Sequence, residues 1–356
     1  MSDIQVITLR PSIYHETFSS IDICSELQSS LVDGKLCKLE LQSNELWFSK
    51  LPLTLHELTS QASSCKVFAL LTIAGQSLTL RGVAQILSEL LPEESTLYMQ
   101  TNPFGQIFAT QAVDIYCEHD VVLDKTRLTE ASIRYHVDII QKSKASFAQP
   151  GLLVMDMDST IIAMECIDEI ADLAGVKDKV SAVTERAMEG EIPFTQSLHD
   201  RVACLEGLAV QDLLSIRQRL PFMPNFMHTM KILKAANWKL AIASGGFTFF
   251  ADYVKQLAQL DAAYSNLLDV QDGRLTGRLI GKVVDANEKA RVLLLLAETF
   301  AIPKAQTLAM GDGANDVNTM EQAGTSVAYH AKPVISSNAD VVIRYGGFES
   351  LLFSLR

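Results

Sequence analysis

No two of the six cysteines (Cys24, Cys37, Cys65, Cys117, Cys166 and Cys204) form a C-x-x-C pair, which argues against a zinc ribbon or a dithiol redox centre. The N-terminus lacks a basic, then apolar, then small pattern, so no secretory signal is expected. Reduced thiols and a cytoplasmic location follow from that pair of absences. No apolar run approaches the roughly 18 residues that cross a bilayer. The run Val292 to Leu296 is soon broken by Glu298 and reads as a buried helix. A basic tract is absent too. The net charge of −12 is shared evenly between the two halves, so neither nucleic acid nor membrane is an expected partner. A small phosphorylated ligand would need a local positive site against this acidic background.

At 356 residues the chain is long enough for two domains. Gln149-Pro150-Gly151 punctuates it near the middle, giving an α+β domain over 1–145 and an α/β domain over 150–356. In the second, Leu152 to Met155 is a short apolar run that ends in Asp156. Trp238 to Ala243 ends in Ser244-Gly245-Gly246, and Thr307 to Met310 ends in Gly311-Asp312-Gly313. Ser326 to Tyr329 and Ala339 to Ile343 continue the series. Helical stretches fall at 225–236, 247–260 and 287–301. Strands alternating with helices predict a parallel sheet, with ligands beyond the carboxyl ends of its strands. A polar, helix-rich insertion at about 165–220 reads as a cap over that end.

The first half predicts a strand over 67–73, a helix over 80–91 and an antiparallel strand pair, 96–99 with 106–110, across Asn102 to Gly105. A helix over 128–143 is expected to bridge the halves.

Asp156 alone reads as a helix cap. Asp158 two residues on changes that, because adjacent carboxylates repel unless a cation or proton lies between them. Mg²⁺ takes oxygen ligands and suits such a pair. Asp312, on another strand tip, supplies a third acid. Ser244 alone could start a helix and Lys289 alone could be a solvated lysine.

Together and in this order, Asp156-Met157-Asp158-Ser159-Thr160, Ser244, Lys289 and Gly311 to Asp316 resemble the four motifs of the haloacid dehalogenase superfamily of aspartyl phosphatases. The resemblance covers about residues 150–345. It implies a three-layer parallel-sheet core and an aspartyl-phosphate formed on Asp156, with Asp158 as acid and then base. Mg²⁺ would be held by Asp156, Asp312 and the backbone carbonyl of Asp158. Lys289 screens charge, Ser244 and the Gly245 amide hold phosphoryl oxygens, and Asp316 anchors the surroundings.

The run Met188-Glu189-Gly190, then Phe194, then Arg201 resembles the cap of the phosphoserine phosphatase family. An arginine fork suits a carboxylate, and Glu165 suits an ammonium. Charged cap residues can equally be solvated. By resemblance Asn315 joins the substrate residues. A sugar phosphate or nucleotide is the alternative substrate, and an amino-acid-sensing binding protein the alternative class. The first half resembles an ACT-type regulatory domain over part of its length, which implies an amino-acid effector; the alternative is a domain that only supports a homodimer.

Overall fold

The computed structural model describes residues 35–42, 45–54, 68–91, 95–118 and 121–356. Cys24, Cys65, Val67 and the side chains of Cys37 and Met188 lie outside that description. Two compact units divide the chain, residues 1–143 with 341–356, and residues 144–340. The sequence pattern carries the second domain to 356, whereas the last residues group with the first unit.

The first unit begins with strands β1 (Lys35–Gln42), β2 (Glu45–Thr54) and β3 (Phe68–Gly75), then helix α1 (Leu80–Leu90) and β4 (Thr96–Thr101). Helix α2 (Pro103–Phe108), β5 (Gln111–Cys117), α3 (Lys125–Tyr135) and β6 (Asp138–Gln141) follow. The strands lie in the order β2-β1-β4-β5-β3-β6 and every adjacent pair is antiparallel. From β3 to β6 this is a split βαβ arrangement. Leu71, Ile73, Val83, Leu87, Val113 and Ile139 share its apolar core.

Two expectations fail here. Residues 106–110 are not a strand. Asn102 accepts from the Phe104 amide and Pro103 occupies the first turn, so Asn-Pro starts a short helix rather than a hairpin turn. The partner of β4 is β5, displaced along the chain. The helix expected over 128–143 ends at Tyr135, where His136 adopts a left-handed conformation, and β6 follows. It bridges nothing, since all of it lies in the first unit.

The second unit starts with β7 (Leu152–Met155) and continues through the cap helices α4 (Cys166–Leu173), α5 (Lys177–Met188), α6 (Phe194–Ala203) and α7 (Val210–Arg217). Helix α8 (Phe226–Ala235), β8 (Lys239–Phe247), α9 (Thr248–Ala258), β9 (Ala262–Gln271) and β10 (Arg274–Ile280) come next. The unit continues with α10 (Ala286–Thr299), β11 (Thr307–Gly311), α11 (Val317–Gln322) and β12 (Thr325–Tyr329), and a single helical turn at Pro333–Ser336 follows. The chain then returns to the first unit with β13 (Val341–Ile343) and α12 (Glu349–Ser354).

Within the second unit the strands run β10-β9-β8-β7-β11-β12. All four residues of β7 are buried, as a strand flanked by parallel neighbours and covered on both faces requires. Met155 is in register with Ile242 of β8 and Met310 of β11. That register brings Asp156, Ser244 and Asp312 to one edge of the sheet. The β9–β10 hairpin has no counterpart in the sequence expectations. It turns at Asp272-Gly273, both with positive φ (49° and 75°), as a two-residue hairpin loop demands.

Candidate active site

Asp156 follows β7 directly, and its amide donates to the Met310 carbonyl at 2.9 Å, which fixes the strand tip. Its carboxylate accepts three hydrogen bonds. Oδ1 accepts from the Met157 amide (2.7 Å), and Oδ2 accepts from Lys289 Nζ (2.6 Å) and Asn315 Nδ2 (3.1 Å). Lys289, on α10, is 1% exposed and its ammonium also reaches Asp316 Oδ1 at 2.9 Å. Burial pulls its pKa down, but the Asp156 and Asp316 charges outweigh that and hold it above the usual lysine value. Burial and the Asp156 charge push Asp316 up, opposed by Lys289.

Carboxylate oxygens of Asp156, Asp312 and Asp316 lie within 4.8 Å of one another. Burial, then Asp156, raises the Asp312 pKa, while the Thr160 hydroxyl donates to its Oδ1 at 3.1 Å. Three clustered carboxylates with one lysine leave negative charge uncompensated, and an all-oxygen set of this kind fits a hard divalent cation.

The turn after β7 carries the next groups. The Met157 carbonyl accepts from the amides of Thr160, Ile161 and Ile162, a tight wrap that puts Ser159 at φ 55°. Asp158 Oδ1 accepts from the Cys166 amide at 3.2 Å. Burial and then the Glu165 charge push its pKa up to about 7, against the lowering Cys166 hydrogen bond. Glu165, at the start of α4, accepts from the Ser159 hydroxyl at 2.7 Å. It lies at the mouth, open to water on one side and crowded by protein on the other. The crowding raises its pKa, the Ser159 bond lowers it, and Asp156, Asp312 and Asp168 raise it further.

Ser244 Oγ is buried and accepts from the Gly246 amide at 3.0 Å. Its hydroxyl proton remains available to a ligand. A side chain at Gly246 would meet Asp158 Oδ2 at 2.6 Å, so β8 approaches the first strand tip only through glycine. A Cβ at Gly245 would stand 3.2 Å from the Phe194 ring, which shows the cap residue resting on the Ser-Gly-Gly tip.

Arg201 is half-buried on α6, and its Nε donates to the Ser197 carbonyl one turn back (3.3 Å). It makes no ion pair among the described residues. Burial lowers its pKa and the charges of Asp168, Glu165 and Asp158 raise it.

Every residue singled out at the motifs therefore converges on one side of the sheet. Two features escape the sequence pattern. Asp316, expected only to anchor the surroundings, shares Lys289 with Asp156 and brings its carboxylate into the acid cluster. Thr160 and Ser159 orient Asp312 and Glu165. Their place in the turn after Asp156 is the signal that could have found them.

Metal-free protein is expected to lose stability as pH rises from 5 to 8. An acid whose folded pKa is raised favours folding when protonated, so that contribution is full below the unfolded value of 3.8 and lost as pH climbs through 7. For Asp158 the loss is at most about 4 kcal/mol. Thermal denaturation in chelator at several pH values should show a shallower slope for Asp158→Asn than for the unsubstituted chain. Parallel slopes would remove Asp158 as the source.

Comparison with known proteins places the chain in a family. A family model described as haloacid dehalogenase-like hydrolase matches residues 151–324. A phosphoserine phosphatase of Haemophilus influenzae is 46% identical over 253 residues, 70% of this chain and 81% of that one. The crystal structure of a probable phosphoserine phosphatase from Vibrio cholerae, in unliganded form, superposes with a TM-score of 0.69 at 35% identity, covering 83% of this chain and 88% of that chain. A substrate-bound phosphoserine phosphatase complex gives a TM-score of 0.55 at 36% identity, over 58% of this chain and 99% of that chain. At 46% identity over 81% of that relative, the protein belongs to the phosphoserine phosphatase family of haloacid dehalogenase-like hydrolases.

Proposed function

We propose that this protein hydrolyses O-phospho-L-serine to L-serine and phosphate. The observation that carries the reading is the meeting of two sets of groups. Asp156, Lys289, Ser244 and Asp312 suit a phosphoryl group, and Glu165 and Arg201 lie beside Asp158 on the cap side.

In this reading Asp156 attacks phosphorus and the bond to the serine oxygen breaks, leaving an aspartyl-phosphate. Asp158 gives its proton to the departing oxygen. It then takes one from the water that attacks the intermediate, which releases phosphate and restores Asp156. Lys289 counters the charge of Asp156 and the phosphoryl oxygens, and Ser244 and the Gly245 amide donate to those oxygens. Arg201 pairs with the substrate carboxylate and Glu165 with its ammonium, while Phe194 excludes water over the short carbon stem. Asn315, already on Asp156 Oδ2, orients that carboxylate.

Mg²⁺ fits the cluster of carboxylate oxygens. Asp156, Asp312 and the Asp158 backbone would hold it, with Asp316 adjoining. When bound, it supplies neutralisation of phosphoryl charge.

The reading extends to a cytoplasmic enzyme at the last step of serine synthesis. It includes a homodimer with an amino-acid effector on the first unit. No helix among the described residues is long and apolar enough to cross a membrane.

A phosphate-release screen with Mg²⁺ tests it, using phosphoserine, phosphothreonine, phosphoethanolamine and sugar phosphates. Phosphoserine should lead. Arg201→Ala should raise its KM about 10- to 100-fold, the cost of a charged hydrogen bond, and leave phosphoethanolamine, which lacks the carboxylate, unchanged. Preference for a sugar phosphate, or an Arg201→Ala enzyme with normal KM, would remove the amino-acid assignment.

A further inference from the structure

A cavity of 440 Å³ opens between cap helix α7, core helix α9 and the β9–β10 hairpin. Its volume lies in the range of small-molecule sites. None of the residues assigned to phosphoryl transfer lines it. One wall is aliphatic, with Leu213, Val270 and Leu267 among its members. Leu267 and Val270 are 45% and 44% exposed, so much of that wall stands in water.

The polar side of the cavity carries one cation and one anion. Arg217, the last residue of α7, lays its guanidinium over Phe249 and Tyr253 of α9, at 4.6 and 4.9 Å from the ring centroids. The two rings hold the guanidinium in place, and its N–H groups, which make no side-chain hydrogen bond among the described residues, can meet a carboxylate. Asp252, between those two rings in sequence, is exposed and lines the same cavity. Neither Arg217 nor Asp252 makes an ion pair or side-chain hydrogen bond among the described residues.

We propose that this cavity binds an apolar α-amino acid, its carboxylate on Arg217, its ammonium on Asp252 and its side chain against β9. A simple fatty acid would leave Asp252 unmatched, and an apolar amine would leave Arg217 unmatched. The zwitterion answers both charges and covers the aliphatic wall.

Calorimetric titration of the full chain with L-leucine tests the site. Binding is expected, with affinity falling at least about tenfold for Asp252→Asn and for Arg217→Met, and unchanged for Arg201→Ala. N-acetyl-L-leucine and L-leucinamide, each lacking one charge, should also bind at least about tenfold more weakly. Asp252→Asn alters an exposed side chain and so reads binding without a folding penalty. Four results would overturn the proposal. They are no heat with millimolar leucine, equal affinity for N-acetyl-leucine, affinity indifferent to Asp252→Asn, and binding abolished by Arg201→Ala, which would move leucine to the catalytic site.

Discussion

Lys289→Met is expected to lose turnover and folding stability in the same variant. The ammonium is the one cation within hydrogen-bond reach of Asp156 and Asp316 among the described residues. Without it, three carboxylates within 4.8 Å face one another in a buried site. Removing one partner of a buried ion pair costs about 3–5 kcal/mol, because the remaining charge is left uncompensated. The same deletion removes charge relief from an anionic nucleophile approaching an anionic phosphoryl group, so kcat should fall by about 10³ or more. Lys289→Arg should not restore it, since a planar fork does not fill the space of a compact ammonium held at 2.6 and 2.9 Å. Asp156→Asn separates the two effects. It deletes the nucleophile, and turnover should fall by about 10⁴ or more. Its stability should change by less than about 1 kcal/mol, because one of the crowded carboxylates is gone and Lys289 keeps Asp316. Urea denaturation and single-turnover phosphate release on both variants make the comparison. A Lys289→Met enzyme within tenfold of normal kcat would sink the assigned role. In the Asp156→Asn variant, deamidation back to the carboxylate must be excluded by mass.

The strand tips were legible because a strand buried on both faces has to be continuously apolar. Leu152 to Met155 could be bounded to the residue on that basis, and a polar residue at its end had to lie at the sheet edge. Asp156, Ser244 and Asp312 follow from that rule together with register. Local rules failed where one signal served two structures. Asn102-Pro103 reads equally as a turn and as a helix start, and the Asn102 cap with Pro103 in the first turn makes it the latter. The Asp272-Gly273 pair is a local hairpin signal, since both residues adopt positive φ. Distances between side chains were out of reach altogether. Nothing local says that Asp316 shares Lys289 with Asp156, or that Thr160 donates to Asp312 across 152 positions. The grouping of Val341–Arg356 with the first unit is the extreme case. The Asp138 carboxylate accepts from the amides of Arg344 (2.8 Å), Tyr345 (3.1 Å) and Gly346 (2.8 Å), partners more than 200 positions away.

That closure makes a second large effect testable. A chain ending at Asp340 should fail to fold its first unit, because the segment it lacks supplies part of that unit's interior. Phe348, Leu351, Leu352 and Phe353 are each 0% exposed. Burying a side chain of this size is worth about 1.5–3 kcal/mol, so the four together contribute roughly 6–12 kcal/mol. A whole domain is stable by about 5–15 kcal/mol. Polar losses add to this. The Phe353 carbonyl accepts from Lys142 Nζ (2.7 Å). Lys142 is in turn the buried ion-pair partner of Asp114, which also accepts from Thr72 and Asn102. Truncation strips that network of one acceptor and leaves Asp138 without its three amide donors. Hydrogen exchange should therefore show amides of β3 and β6 losing protection in the truncated chain. Asp138→Ala, a milder change, should destabilise the same strands by about 3 kcal/mol through its unsatisfied amides. Protection in β3 and β6 within about 1 kcal/mol of the full chain after truncation would mean that residues up to 143 fold without their C-terminal segment.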